Sequence, residues 1–242
     1  LWLNVGNSEG NAINGTAYAE VKFLKDFTFT FNAGVGVDET RGTSIQNMYY
    51  GQFATNGGII NKSHGRSFYV NLQQLLNWSR TFGGVHNVSA LLGHETYNTS
   101  SYSVSASKSN MFSMDNTELN GAVIDGQTAN SGKSMYNNEG FFVRAQYDYN
   151  TRIFASASYR LDASSRFHPD HRWGSFWSLG GGWLIDKEPW FPRTPWLGML
   201  KLKASIGSQG NDNIGDYLYT DMFSITHSDA EIAIQRSTIG NK

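Results

Sequence analysis

The chain has 242 residues, with 19 basic and 20 acidic side chains, a net charge of −1, 26 glycines, 4 prolines and no cysteine. This charge balance gives no indication of a nucleic-acid or polyanion ligand, and the lack of cysteine excludes disulfides and thiolate metal sites. The mean hydropathy is −0.42, and the sequence contains no apolar run of about 18 residues that would predict a transmembrane helix.

Segments in which apolar and polar residues alternate predict β-strands, because side chains i and i+2 of an extended chain share a face. The alternation is strictest in residues 27–37, Phe-Thr-Phe-Thr-Phe-Asn-Ala-Gly-Val-Gly-Val. A strand that crosses a bilayer needs about 9–11 residues, whereas strands of soluble proteins have about 5–6. In chain order, the predicted strands are residues 17–23, 27–37, 70–78, 86–96, 141–149, 153–162, 177–185 and 200–209.

The connections between these strands alternate between short and long. The tight turns are residues 24–26, 83–84 and 150–152, and the long loops are residues 38–66, 98–140 and 210–242. All tight turns then fall on one side of the sheet, as in outer-membrane barrels with short periplasmic turns and long extracellular loops. The connection 186–199 is longer than this pattern predicts. All prolines fall in connections, where a missing N–H breaks no ladder: Pro169, Pro189, Pro192 and Pro195.

The alternation also predicts which side chains face lipid. In an outer-membrane barrel the apolar face of each strand points to lipid and the polar face to the lumen. In residues 27–37 the lipid-facing side chains would be Phe27, Phe29, Phe31, Val35 and Val37, and the lumen-facing ones Thr28, Thr30 and Asn32. Ala155 and Ala157 would face lipid and Ser156 the lumen. The expected aromatic girdle comprises Tyr147, Tyr149, Tyr159, Trp177 and Trp183.

Other local patterns give no sign of a catalytic or metal site. His168 and His171 lie in a proline-containing loop, where their spacing fixes no ligand geometry. Glycines within strands indicate a bend, a bulge or close packing rather than a phosphate loop. We therefore predict no catalytic residue, no metal and no cofactor, and a protein that is not an enzyme. Arg166 and Arg172 are expected to order their loop by pairing with Asp162 and Asp170.

Four stretches together resemble one protein family. They are residues 140–149, 153–161, 162–176 and 200–211. Their order and spacing closely resemble the SusC/RagA family of TonB-dependent outer-membrane transporters over about residues 15–220. The most specific stretch begins Asp-Ala-Ser-Ser-Arg-Phe at residues 162–167, with Ala163 where the family usually has glycine.

The resemblance implies more than the periodicity does. Residues 1–242 would be a partial β-barrel domain, about eight strands from the middle of a barrel of about 22, with the plug domain and TonB box outside the chain. Such transporters import a glycan or an oligopeptide across the outer membrane, powered by TonB, with a SusD-like surface lipoprotein as partner. The expected location is the outer membrane, in contact with its lipid, of a Gram-negative bacterium of Bacteroidetes type.

Aromatic side chains in the predicted loops are candidates for substrate contact, because flat rings stack on sugar faces or cover peptide side chains. They are Tyr49, Tyr50, Tyr97, Tyr102, Phe112 and Trp173. Two other interpretations remain open at this point. The chain could be a complete eight-stranded barrel that serves as an anchor, adhesin or outer-membrane enzyme, or a soluble β-rich module that binds carbohydrate.

Overall fold

The computed structural model describes residues 4–192, 196–220, 222–227 and 232–237, with side chains throughout except in 124–128, 222–227 and 232–237. Pro195 and parts of the predicted loop 210–242 lie outside the described residues. No helix in the described part of the chain is long and apolar enough to cross a membrane.

The fold is all-β, as predicted. The described strands are β1 (Val5–Phe23), β2 (Phe27–Gln46), β3 (Ile59–Phe82), β4 (His86–Met111), β5 (Ala122–Tyr149), β6 (Ile153–Ser164), β7 (Trp173–Leu184), β8 (Lys201–Gly207), β9 (Met222–His227) and β10 (Ile232–Ser237). Strands β1 to β8 form one sheet in chain order, and β9 pairs with β10. Short 3₁₀ helices are Ala54–Asn56, Leu119–Gly121, Pro169–His171 and Ile185–Lys187.

The three predicted tight turns are confirmed, and their backbone explains how they close. Leu24 and Lys25 have φ values of 49° and 61°, Gly83 and Gly84 of 58° and 74°, and Asn150 and Thr151 of 50° and 54°. Two successive residues with positive φ are the signature of the two-residue hairpin turns whose twist matches that of the flanking strands.

The predicted long loops 38–66 and 98–140 are wrong in extent. Strand β2 continues to Gln46 and β3 begins at Ile59, while β4 continues to Met111 and β5 begins at Ala122. The true connections are therefore residues 47–58 and 112–121. The prediction failed because it relied on the alternation of apolar and polar residues. The sequence of a strand with water on both faces does not show this alternation.

The predicted separation of apolar and polar side chains onto two faces is confirmed for β5, β6 and β7 by their register, and the direction of the apolar face towards lipid remains a prediction. Ala157 lies opposite Ala145 and Leu179, whereas Ser156 lies opposite Gln146 and Gly180. Along β6 the apolar odd-numbered residues are exposed and the polar even-numbered ones are half-buried. An exposed apolar face beside a half-buried polar face is the arrangement expected of a barrel wall that faces lipid.

The chain divides into two compact units. Unit 1 comprises Leu1–Ala17, Ala33–Asn71 and Tyr97–Met135, and unit 2 comprises Tyr18–Asn32, Leu72–Thr96 and Tyr136–Lys242. The buried core of unit 1 lies where its two connections meet the strand ends, and it consists of Ile45, Ile60, Met111, Met114 and Ala122, with Met48 and Leu119 packed against it.

In unit 2, aromatic rings lie directly over glycines of the polar face. A Cβ atom added to Gly93 would overlap the ring of Phe142, and one added to Gly210 would overlap the ring of Phe176. The same arrangement occurs within unit 1, where Tyr69 covers Gly36. These glycines therefore serve close packing, one of the roles predicted for glycine within a strand.

We expect Gly93→Ala to destabilise the full-length protein by about 1–3 kcal/mol, because the added methyl group forces the Phe142 ring out of its packed position. The matched control is Gly181→Ala, since a Cβ there would come no closer than 3.9 Å to another heavy atom. The measurement is the unfolding midpoint of the two variants in detergent. Equal midpoints for both variants would contradict the packing role.

Candidate functional site: the polar face of the sheet

The polar face of unit 2 is a broad groove of about 1080 Å³ lined by residues of β3 to β8. Its cations include Arg144, Lys201 and Lys203, and Lys201 Nζ lies 4.5 Å from the centre of the Phe154 ring. Asn87 donates a hydrogen bond of 2.7 Å to Asp148 Oδ1. Because small or polar residues of successive strands share this face, it forms a surface suited to water and polar solutes.

A charged network crosses the polar face from β3 to β6. Gln73 donates a hydrogen bond of 3.1 Å to Glu95 Oε2, and the Arg160 guanidinium binds both Glu95 and Asp162. The same guanidinium lies 5.1 Å from the centre of the Phe142 ring. One arginine therefore joins two carboxylates and an aromatic ring, which fixes the side chains of neighbouring strands relative to one another.

The most family-specific stretch, residues 162–176, is held by the segment that follows β8. Asp212 Oδ2 accepts hydrogen bonds from the Tyr136 hydroxyl at 2.6 Å and from Ser164 Oγ at 3.0 Å. Arg166 donates to the Asp212 carbonyl oxygen at 3.0 Å and to Asp216 Oδ1 at 2.9 Å. The serine and arginine of this stretch therefore act as anchors for the chain after β8.

The predicted pairing of Arg166 and Arg172 with Asp162 and Asp170 is wrong. Asp162 is bound by Arg160 instead, and Asp170 lies 3.5 Å from His168 Nδ1. Arg172 donates to the Phe167 carbonyl oxygen at 3.2 Å. The prediction considered only carboxylates nearby in sequence, whereas folding brings the distant Asp212 and Asp216 closer to Arg166.

The hydrogen bond from Tyr136 lowers the pKa of Asp212 below its ordinary value of 3.8. Burial, followed by the hydrogen bond to Asp212, raises the pKa of Tyr136. Because the folded-state pKa of Asp212 is depressed, its contribution to stability is present above the unfolded-state pKa and is lost as pH falls through the folded-state value.

We expect Asp212→Ala to lower the free energy of unfolding of the full-length protein at pH 7 by about 1–2 kcal/mol, because two hydroxyl donors lose a charged acceptor. The difference from wild type should shrink as pH falls below about 4, since protonation weakens the same interactions. Asp170→Ala is the control, because the Asp170 side chain is 79% exposed. Unfolding midpoints measured across pH test this, and a difference that persists unchanged at pH 2 would contradict it.

Within unit 1, two tyrosines lie near serine and threonine side chains. The rings of Tyr69 and Tyr97 stack with centroids 6.2 Å apart, and the Tyr69 hydroxyl donates to Asn14 Oδ1 at 3.0 Å. Ser67 Oγ and Ser101 Oγ form a hydrogen bond of 2.9 Å. The adjoining groove of about 500 Å³ includes Asp38, Thr40, Ser67, Ser101, Ser103 and Ser134. We call this side of unit 1 the hydroxyl face.

The structure places the six predicted substrate-contact residues in different settings. Tyr49, Tyr50 and Phe112 are exposed and lie outside the strands, as predicted. Tyr97 and Tyr102 lie in β4 and Trp173 begins β7, so their predicted loop positions are wrong. Of the six, Tyr97 is paired with a second aromatic ring on the hydroxyl face. Substrate contact by any of these residues remains a prediction.

Trp173 packs against a second aromatic ring, a contact that was not predicted from the sequence. It is 53% exposed, and its ring stacks on Phe141 with centroids 6.1 Å apart. Because Trp173 and Trp177 are four residues apart in β7, they share the apolar face. Tyr69 is not among the predicted contact residues, although its position two residues before Asn71 places it on the polar face of the same strand.

His168 and His171 lie at the 3₁₀ helix Pro169–His171, with ring centroids 6.4 Å apart. In the described part of the chain, no group of three or more histidine, aspartate or glutamate side chains is arranged to hold a metal ion.

No family model matches the chain. It is 26% identical over 212 residues to a TonB-dependent receptor of Formosa agariphila, covering 83% of this chain. It is 25% identical over 240 residues to the TonB-dependent receptor SusC of Bacteroides thetaiotaomicron, covering 95% of this chain. The solved structure of the RagAB peptide transporter matches 99% of this chain with a TM-score of 0.90 and 24% identity. The resemblance to the SusC/RagA family that the sequence predicts is confirmed by these similarities.

The chain spans 19% and 23% of the length of these two receptors and 27% of the matched transporter chain. Its fold is therefore similar to one part of a larger barrel, that of the RagAB transporter, and β1 and β8 are the two edges of the described eight-stranded sheet. This strand order removes the support for a complete eight-stranded barrel. The similar proteins are named as receptors and transporters rather than as enzymes.

Proposed function

We propose that the full-length protein is a TonB-dependent importer of the outer membrane and that this chain forms part of its barrel wall. The observation that carries this proposal is the two-faced sheet. Side chains paired across β5, β6 and β7 are apolar and exposed at one position, and polar at the next position along each strand. An apolar outer face suits lipid and a polar inner face suits a solute path. The similarity to receptors of Formosa and Bacteroides supports the same function and location.

The proposed substrate is a bulky nutrient, a glycan or an oligopeptide. The stacked Tyr69 and Tyr97 rings offer a flat apolar surface, and the serines of the hydroxyl face offer donors and acceptors that suit sugar hydroxyls and peptide amides alike. The proposed partners are TonB, through a part of the protein outside this chain, and a SusD-like surface lipoprotein.

Uptake by cells that produce the full-length protein tests this function. The two substrates are a labelled protein digest and a labelled oligosaccharide mixture. We expect saturable uptake of one of them, abolished in cells without functional TonB. Equal uptake with and without TonB would contradict the proposal, and so would uptake of neither mixture.

We further expect the double substitution Tyr69→Ala with Tyr97→Ala to raise the half-saturation concentration for uptake about tenfold, since the loss of stacking costs on the order of 1.4 kcal/mol. Tyr159→Ala is the comparison, because Tyr159 lies on the apolar face of β6, opposite Val143 and Trp177. An unchanged half-saturation concentration in the double variant would exclude the tyrosine pair from the substrate path.

A further inference from the structure

In unit 1, the side of β3, β4 and β5 opposite the hydroxyl face carries a cation–aromatic–cation row. The hydrogen bond between Ser67 and Ser101 sets these residues beside each other on the hydroxyl face. A Cβ at Gly132 would lie 3.7 Å from Ser103 Oγ on that same face. In an antiparallel pair, one step back along one strand matches one step forward along its neighbour, and each step changes the face. On the opposite face, Arg66 therefore lies beside Tyr102, and Tyr102 lies beside Lys133.

The three residues of the row are exposed, and its cations have no carboxylate partner among the described side chains. In the described part of the chain, neither Arg66 nor Lys133 makes an ion pair, while the nearby Glu39 is bound by Arg41 at 3.1 Å and His64 at 2.8 Å. Those two hydrogen bonds, the one from His64 first, lower the pKa of Glu39, so this carboxylate is already held by His64 and Arg41.

Apolar side chains accompany the row on the same face. Tyr102 is 47% exposed and Phe68, two residues from Arg66, is 40% exposed. Val70 follows Phe68 at the same parity in β3. Apolar side chains therefore stand next to Arg66 on this face, as expected where lipid tails give way to headgroups, the level at which aromatic rings and long cationic side chains are favoured.

We propose that the row Arg66–Tyr102–Lys133 binds the phosphate groups of phosphorylated lipids in the outer leaflet. The guanidinium donates two parallel hydrogen bonds to two phosphate oxygens and the lysine supplies a second positive charge, while the tyrosine ring covers the upper acyl chains. This binding goes beyond import and rests only on the proposed outer-membrane location. It would fix the depth of unit 1 at the membrane surface.

The test is a lipid titration of the purified full-length protein in detergent, followed by native mass spectrometry. The probes are lipid A and the same lipid A after enzymatic removal of both phosphates, with inorganic phosphate as a third arm. The double variant Arg66→Gln with Lys133→Gln removes both charges. The matched control Arg41→Gln removes an exposed charge on the same face that is already paired with Glu39.

We expect wild type and Arg41→Gln to bind lipid A at least tenfold more tightly than its dephosphorylated form, and the double variant to lose this preference. Equal binding of both lipids by wild type would overturn the proposal, as would an unchanged preference in the double variant. Inorganic phosphate that binds as tightly as lipid A would show a general anion site and would also overturn it. Because the titration needs neither substrate nor TonB, its outcome is independent of the import experiment.

Discussion

Arginine in place of Ala157 should destabilise the full-length protein by about 2–4 kcal/mol, whereas Ser156→Arg should cost less than about 1 kcal/mol. Ala157 lies opposite Ala145 and Leu179 on the apolar face, and Leu179 is 52% exposed. An arginine there would have to place its charge among lipid tails. Ser156 shares the polar face with Gln146 and Gly180, where the guanidinium can reach the water of the groove.

Unfolding in lipid vesicles by increasing denaturant measures this difference directly. The two substitutions introduce the same side chain at adjacent positions, so they differ only in the face to which it points. Equal losses of stability at both positions would refute the assignment of the two faces.

Arg160→Ala should cost about 1.5–3 kcal/mol, because it leaves Glu95 and Asp162 without the cation they share. A fully buried ion pair broken in this way would cost more, but the Arg160 side chain is 36% exposed and water screens part of the loss. The Phe142 ring also loses the guanidinium that packs over it.

The control for this substitution is Arg144→Ala, which removes the same kind of side chain from the same face. Arg144 makes no ion pair with a described residue, so its loss should change the free energy of unfolding by less than about 0.5 kcal/mol. A double-mutant cycle with Glu95→Ala should give a coupling energy of about 1–2 kcal/mol. Additive effects of the two substitutions would show that the network contributes nothing to stability.

The sequence was sufficient to predict the all-β fold, the tight turns and the facing of the strands in unit 2. Each of these follows from local chemistry: Gly83 with Gly84 closes a hairpin, and alternation in residues 153–162 requires one face in an apolar medium and one in water. The family resemblance then supplied the expectation of a larger barrel, which no local pattern contains.

The ends of the long strands could not be predicted from alternation. The stretch of β3 at residues 62–67, Lys-Ser-His-Gly-Arg-Ser, has polar side chains or glycine on both faces, so it carries no periodic apolar signal. What holds such a strand in place is backbone pairing with its neighbours, and that pairing depends on residues far away in sequence.

The contacts of the candidate sites were also beyond local prediction. Asp212 meets Tyr136 and Ser164 only because the segment after β8 folds back onto this part of unit 2. Trp173 was assigned to a loop because the predicted strand began only at Trp177, although the strand begins at Trp173. In both cases the sequence identified the residue types and the tertiary fold decided their partners.

The proposed membrane-spanning wall has lipid on one face of the sheet and the solute path on the other. The most direct test introduces single cysteines at residues 154 to 159 of the full-length protein, freed of any other cysteine, and attaches a spin label in lipid bilayers. High accessibility to oxygen is expected at the odd positions, including Ala155 and Ala157, and high accessibility to a water-soluble nickel complex at Ser156 and Ser158. Equal accessibility at odd and even positions would show that the sheet does not separate lipid from a solute path.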